Sequence, residues 1–216
     1  MIRVYKHPTS PSSLLKVGNT EYNHQDVQRQ LLNDQHGKCY LCERICNTDY
    51  QIEHLKSVHH HSHLKCEWSN LFLSCSYCNG KKLENFDDIL DPSMQNVENL
   101  IVCKHDISQK RVDFTTTEPE TTEIKKTIQL LEKIFNGNAK VRKVKEEQFY
   151  NQFLLSMNRF LSLVTDFLRD NSTSKEQAIR EELQVGKEFL AFKYHLLLDN
   201  NQTANIFKAD LNWNKI

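Results

Sequence analysis

Two short stretches, Cys39-Tyr40-Leu41-Cys42 and Cys75-Ser76-Tyr77-Cys78, decide how this chain is read. Each C-x-x-C knuckle brings two thiolates near one point, and four at about 2.3 Å close a tetrahedral Zn²⁺ shell with no open position. Two such knuckles point to a structural zinc on Cys39, Cys42, Cys75 and Cys78. The bland alternatives are a redox pair in one knuckle or inert buried thiols in both. The 32 residues between Cys42 and Cys75 exceed the roughly 15–20 of a simple ribbon. A metal here closes a loop large enough to contain other machinery. The segment Lys38–Lys82 has too little apolar periodicity for a conventional core, so something besides hydrophobic burial must hold it together.

Outward from this segment, composition narrows the possibilities. The chain has 216 residues, 38% of them apolar, and its 28 basic residues balance 28 acidic ones. No apolar run approaches the ~18–20 residues of a bilayer span, so no membrane partner is expected. Met1-Ile2-Arg3-Val4-Tyr5-Lys6 lacks a signal peptide's apolar stretch, which predicts a cytoplasmic protein. In that compartment 7 Cys are ligands, nucleophiles or small core residues, not a disulfide framework. Cys46, Cys66 and Cys103 receive no role. Zero net charge argues against coating nucleic acid by bulk electrostatics alone.

The pattern predicts an α+β chain in four parts. Residues 1–23, with Pro8 and Pro11, read as an extended arm that buries little by itself. Residues 24–92 carry the cysteine segment, opened by a helix (Val27, Leu31 and Leu32 on one stripe) that stops at Gly37. A short helix with Leu83, Phe86, Ile89 and Leu90 precedes Asp91-Pro92. Residues 93–118 hold two β-prone runs, Leu100–Cys103 and Arg111–Phe114, as a hairpin linker. Residues 119–216 read as a helical bundle. Its first helix starts with Pro119 in the first turn, and its second is long, from Phe149 to Leu168. Its last runs from a Ser174/Gln177 capping box through Ile179, Leu183, Phe189 and Leu196.

Chemistry concentrates between the knuckles. In Tyr50-Gln51-Ile52-Glu53-His54-Leu55 the positions alternate as on a half-buried strand, and Asn79-Gly80-Lys81-Lys82 follows the second knuckle directly. A neutral imidazole such as His54 takes a proton from water near pH 7. Glu53 and the Asn79 amide oxygen are hard donors suited to Mg²⁺ or Mn²⁺. Lys81 and Lys82 are candidates for contact with nucleic-acid phosphates. His59–His63 reads as a solvated loop, and Lys140, Arg142, Lys143 and Lys145 as a solvated basic face.

In this order the two knuckles, the Glu53-His54 pair, Asn70-Leu71 ahead of the second knuckle, and Asn79 with its lysines resemble an HNH endonuclease over residues 39–82. The resemblance implies a zinc-stapled ββα-metal core, with Glu53 and His54 on the first strand and Asn79 at the start of the helix. By position His54 matches the general base, Glu53 and Asn79 the catalytic-metal ligands, and Asn70 the residue that props the loop orienting the base. Glu53 stands for the commoner Asp, and Ser57 stands where many members have Pro. More weakly, the whole chain resembles the PtuB-type nucleases of Septu and retron-associated antiphage systems. That resemblance implies a PtuA-like ATPase partner and, in the retron case, a reverse transcriptase with its RNA–DNA product. DNA is the default substrate and RNA the runner-up. The rival classes are a zinc-binding adaptor that recognises nucleic acid or protein without cleaving it, and a restriction enzyme that reads its own sequence. The zero net charge predicts poor cleavage by the isolated chain and stimulation by its partner.

Overall fold

The computed structural model describes residues 1–137 and 141–210. In chain order they form α1 (Gln25–Asp34), β1 (Tyr50–His54), β2 (Leu71–Cys75), α2 (Ser76–Lys82), α3 (Val97–Leu100), β3 (Val102–Asp106), β4 (Arg111–Thr115), α4 (Thr122–Phe135), α5 (Val144–Arg169), α6 (Thr173–Glu182), α7 (Leu190–Leu198) and α8 (Asn201–Phe207). The class is α+β, as the pattern predicts. β1 and β2 pair antiparallel with Tyr50 opposite Cys75 and His54 opposite Leu71, and β3 pairs β4 in a separate hairpin. All five residues of β2 are buried, because β1 pairs along its edge while α1, α2 and the arm pack against it. At the end of α1, Gly37 adopts a left-handed φ of 68° and its N–H returns to the Leu32 carbonyl.

The arm departs from expectation. Met1, Ile2 and Val4 are buried, and the Val4 N–H donates to the Pro92 carbonyl at 2.8 Å. The Lys6 ammonium donates to the carbonyls of Trp68 and Leu71 and lies over the Trp68 ring; burial pushes its pKa down to about 7. The cysteine segment has little apolar surface of its own, and the arm supplies what it lacks.

One buried carboxylate ties three parts of the chain together. Glu43, directly after the first knuckle, accepts from the Met1 ammonium at 2.6 Å and from the Leu190 and Ala191 N–H groups at 2.7 and 3.3 Å. Burial opposes its ionisation, yet the Met1 ammonium and Lys38 hold its pKa below the usual carboxylate value. Removing one member of a buried charge group leaves the others unpaired. Glu43→Ala is therefore expected to cost about 3–5 kcal/mol, checked by thermal unfolding. A loss below about 1 kcal/mol, the scale of an exposed ion pair, would show that the group contributes little.

The hairpin and the helical tail share one core with the zinc segment. The Phe135 ring lies 5.0–5.6 Å from Phe114, Phe149, Phe153 and Phe192. A second cluster joins the far half of α5 to α6, α7 and α8 through Phe160, Phe167, Ile179, Leu197 and Phe207. The expected last helix is broken in two: Phe189 takes a left-handed φ of 54° and starts α7 afresh. That conformation costs a bulky residue roughly 1–2 kcal/mol. Burial of the ring against Phe135 and Phe153 offsets it.

The expected capping box at Ser174 does not form, since α6 begins at Thr173 behind Ser172. Pro119 lies outside α4, whose start is capped by the Thr121 hydroxyl accepting from Ile124 N–H. The helix expected over residues 83–92 is one tight turn, Leu83–Phe86. Within the basic run Lys140 lies outside the described residues, and Arg142 stacks over the Tyr150 ring at 3.8 Å.

Candidate active site

The two knuckles meet. Sγ atoms of Cys39, Cys42, Cys75 and Cys78 all lie within 4.8 Å of one another, every one buried, and the Cys42–Cys75 sulfur separation is 3.9 Å. Tetrahedral zinc with bonds of about 2.3 Å separates its sulfurs by about 3.8 Å, so the donor set fits the ion. Among the described residues this is the one group of three or more His, Cys, Asp or Glu side chains so closely gathered. Burial opposes ionisation of these thiols, but hydrogen bonds from Cys42, Cys75 and Cys78 hold the Cys39 thiol well below its ordinary pKa. A divalent ion would take all four as thiolates.

The cysteine cluster anchors a ββα unit, because Cys75 is at once the last residue of β2 and the N-cap of α2. His54 ends β1. The Lys65 carbonyl lies 2.9 Å from its Nε2, and a carbonyl only accepts, so Nε2 carries the proton. Nδ1 is then the basic nitrogen, and it makes no hydrogen bond among the described residues. The Tyr22 ring meets the imidazole edge-on at 4.5 Å. Burial lowers the His54 pKa, opposed by the Lys65 carbonyl and assisted by the Lys82 and Lys65 charges, so the ring is neutral at pH 7.

Glu53, on the other face of the strand, lies 3.0 Å from the Lys82 ammonium, which also donates to the His54 carbonyl at 2.9 Å. Burial raises the Glu53 pKa and Lys82 opposes the rise. Lys82 has no exposed side-chain surface. The expectation that it touches phosphate fails for that reason: its charge is spent inside, one helical turn from Asn79. Lys81 is also engaged, paired with Glu146.

Asn70 bonds both ends of the loop that follows β1. Its amide oxygen accepts from Lys56 N–H at 2.8 Å, and its nitrogen donates to the carbonyls of Lys56 and Leu64 at 3.0 and 3.2 Å. The loop from 56 to 65 that carries the His54 partner is thus pinned at both ends. Each buried group left unpaired costs about 1–3 kcal/mol. Asn70→Ala is expected to lose roughly 2–3 kcal/mol in urea unfolding, and an unchanged midpoint would deny it the propping role.

A second support has no signal in the sequence reading. Asp87 accepts from Ser57 N–H at 2.8 Å and Ser57 Oγ–H at 2.7 Å, and lies 2.9 Å from His60 Nδ1. The histidine loop is therefore tethered at His60. Periodicity assigned Asp87 to a helix, and only the fold brings it across to Ser57.

Asn79 sits in the middle of α2, not at its start, and its Nδ2 donates to Gln51 Oε1. Its amide oxygen stays available to a cation. Glu53 presents Oε1 to Lys82, and its Oε2 makes no hydrogen bond among the described residues. A carboxylate oxygen and an amide oxygen suit a hard cation that keeps most of its waters. The chemistry of the donors fits such an ion, although Lys82 already neutralises part of the carboxylate charge.

No helix of the described residues is long and apolar enough to cross a membrane. No family model matches the chain. Over 93 residues it is 32% identical to the Septu protein PtuB of Bacillus thuringiensis. The match covers 36% of this chain and 35% of that protein, so the chain spans about a third of the relative's length. Over that stretch the chain is similar to a Septu protein.

Proposed function

We propose that this chain is an HNH-type endonuclease, the effector subunit of a Septu-like antiphage defence complex that hydrolyses nucleic-acid phosphodiester bonds. The observation that carries the reading is the state of His54. Its Nε2–H is held by the Lys65 carbonyl and its Nδ1 makes no hydrogen bond among the described residues, beside Glu53 at the end of a strand paired with the one that carries Cys75. An imidazole fixed in this tautomer can take a proton from an attacking water without reorganising. Glu53 and Asn79 would hold Mg²⁺ or Mn²⁺, which supplies stabilisation of charge on the phosphate oxygens. Asn70 and Asp87 keep the Lys65 carbonyl, and so the ring, in place.

DNA is the favoured substrate. Hydrolysis by water needs no 2′-hydroxyl, so RNA is the alternative. The similarity to PtuB supports a defence role and a PtuA-like ATPase as partner; in a retron setting the further partners are a reverse transcriptase and its RNA–DNA product. The zero net charge suits a subunit whose partner supplies capture.

The Glu53–Lys82 ion pair favours one other reading, a zinc-stabilised adaptor whose carboxylate is structural. Cleavage of plasmid, linear duplex, single-stranded DNA and RNA, with Mg²⁺ or Mn²⁺ and with or without the ATPase, separates the two. Divalent-dependent cutting that the ATPase stimulates supports the nuclease; binding without cutting in every mixture supports the adaptor. Strong cutting by the isolated chain at physiological salt would contradict the partner's role in capture.

A further inference from the structure

Beside His54 runs a groove of about 650 Å³ lined by Tyr22, Asn23, Gln28, Asn47, Thr48, Tyr50, Gln51, Ile52 and Asn79. It follows the edge of β1 that pairs with no other strand among the described residues. Two of its walls belong to the candidate active site: Tyr22 meets the His54 ring and Asn79 is the candidate metal ligand. Its lining contains no charged side chain, although 26% of the chain is charged. A phosphate backbone finds no countercharge there. What the walls offer are amide and hydroxyl groups and two tyrosine rings.

Several of the amides are already oriented. The Tyr50 hydroxyl donates to Gln28 Oε1 at 3.1 Å, and Gln28 Nε2 donates to Asn23 Oδ1 at 2.9 Å. Asn79 Nδ2 donates to Gln51 Oε1, which leaves the Gln51 amide nitrogen and the Asn79 oxygen to other partners. Fixed amides that present a donor beside an acceptor match the edges of nucleobases, and aromatic side chains match their faces.

We propose that this groove holds an unpaired nucleobase next to the scissile phosphate and sets base preference at the cut. The Gln51 amide nitrogen donates to its edge, the second lone pair of Gln28 Oε1 accepts from it, and Tyr50 supports its face. The proposal rests on the nuclease reading for the word "scissile", but not for the presence of a base in the groove. Unpaired bases are favoured over a duplex because stacking and edge contacts need a base turned out of its helix.

The test uses the full chain with its zinc, and with its ATPase if cleavage needs it. Randomised single-stranded DNA is cut and the ends sequenced, for wild type, Gln28→Ala and Tyr50→Leu. In parallel, a single strand carrying 4-thiothymidine is photocrosslinked to the uncut protein and the attachment site mapped. A bidentate edge contact discriminates bases by about 1–3 kcal/mol, so wild type is expected to show at least about fivefold preference at one position beside the cut. Both variants are expected to flatten it below about twofold, with crosslinks mapping to groove residues. Matching zinc content and unfolding midpoint guard against misfolded variants. Cutting with the same base profile in all three proteins overturns the groove and spares the nuclease. Crosslinking in the groove without cutting overturns the nuclease and spares the groove. Crosslinks confined to other surfaces, or a partner polypeptide occupying the β1 edge instead, overturn the groove as a base site.

Discussion

His54→Ala is expected to lower divalent-dependent cleavage by about 10³-fold, within the 10²–10⁴ range that a positioned base contributes. The change in stability should stay near 1 kcal/mol, because the ring gives up one hydrogen bond, to the Lys65 carbonyl, and one edge contact with Tyr22. The two effects differ so much in size that one variant separates chemistry from folding. Rates are read under single-turnover conditions beside a thermal unfolding curve and a zinc determination. Cleavage within tenfold of wild type would remove His54 from the chemistry. A lost rate accompanied by lost zinc would mean that the variant had failed to fold, and Asn70→Ala then tests the same arm of the site from its support. The sign follows from the tautomer: with Nε2–H committed to a carbonyl, no other nitrogen of this ring can act as base.

Cys42→Ser is expected to have the largest effect on stability. The four thiols are fully buried and their sulfurs lie within 4.8 Å of one another, a donor set that a divalent ion would take as thiolates. Structural zinc binding in small domains is worth about 10–16 kcal/mol, comparable with or above the ~5–15 kcal/mol of a whole domain's stability. Wild-type protein should carry one zinc per chain, and Cys42→Ser much less than one. The variant should lose the packing around Trp68 while the cluster of α5, α6, α7 and α8 keeps its helical signal, because that cluster contains no cysteine. A strong chelator should reproduce the change in wild type. Full stability of Cys42→Ser within about 1 kcal/mol, a single ordinary side-chain contribution, would show that the cysteines are merely buried thiols.

The local pattern was readable where chemistry and periodicity act over a few residues. Alternation at Tyr50, Ile52 and His54 gave β1, the stripe of Val27 and Leu31 gave α1, and the β-prone runs gave the hairpin. The paired knuckles announced a cluster that the fold assembles. Reading failed where distant groups compete with local ones. Burial of Phe189 broke a helix that its spacing supported, and burial of Met1 and Ile2 turned a free arm into part of the core.

At the candidate site, residue types and order pointed to His54 as base, Glu53 and Asn79 as oxygen donors and four cysteines as a staple, and the family resemblance added Asn70 as support. Tertiary structure alone decided how each is used. It sends Lys82 inward to Glu53, commits His54 Nε2 to the Lys65 carbonyl, and brings Asp87 to Ser57. It also ties Glu43 to the start of α7. The physical reason is that the role of a polar side chain depends on its burial and its partner. Both are set by residues from 11 to 147 positions away, which no short pattern contains.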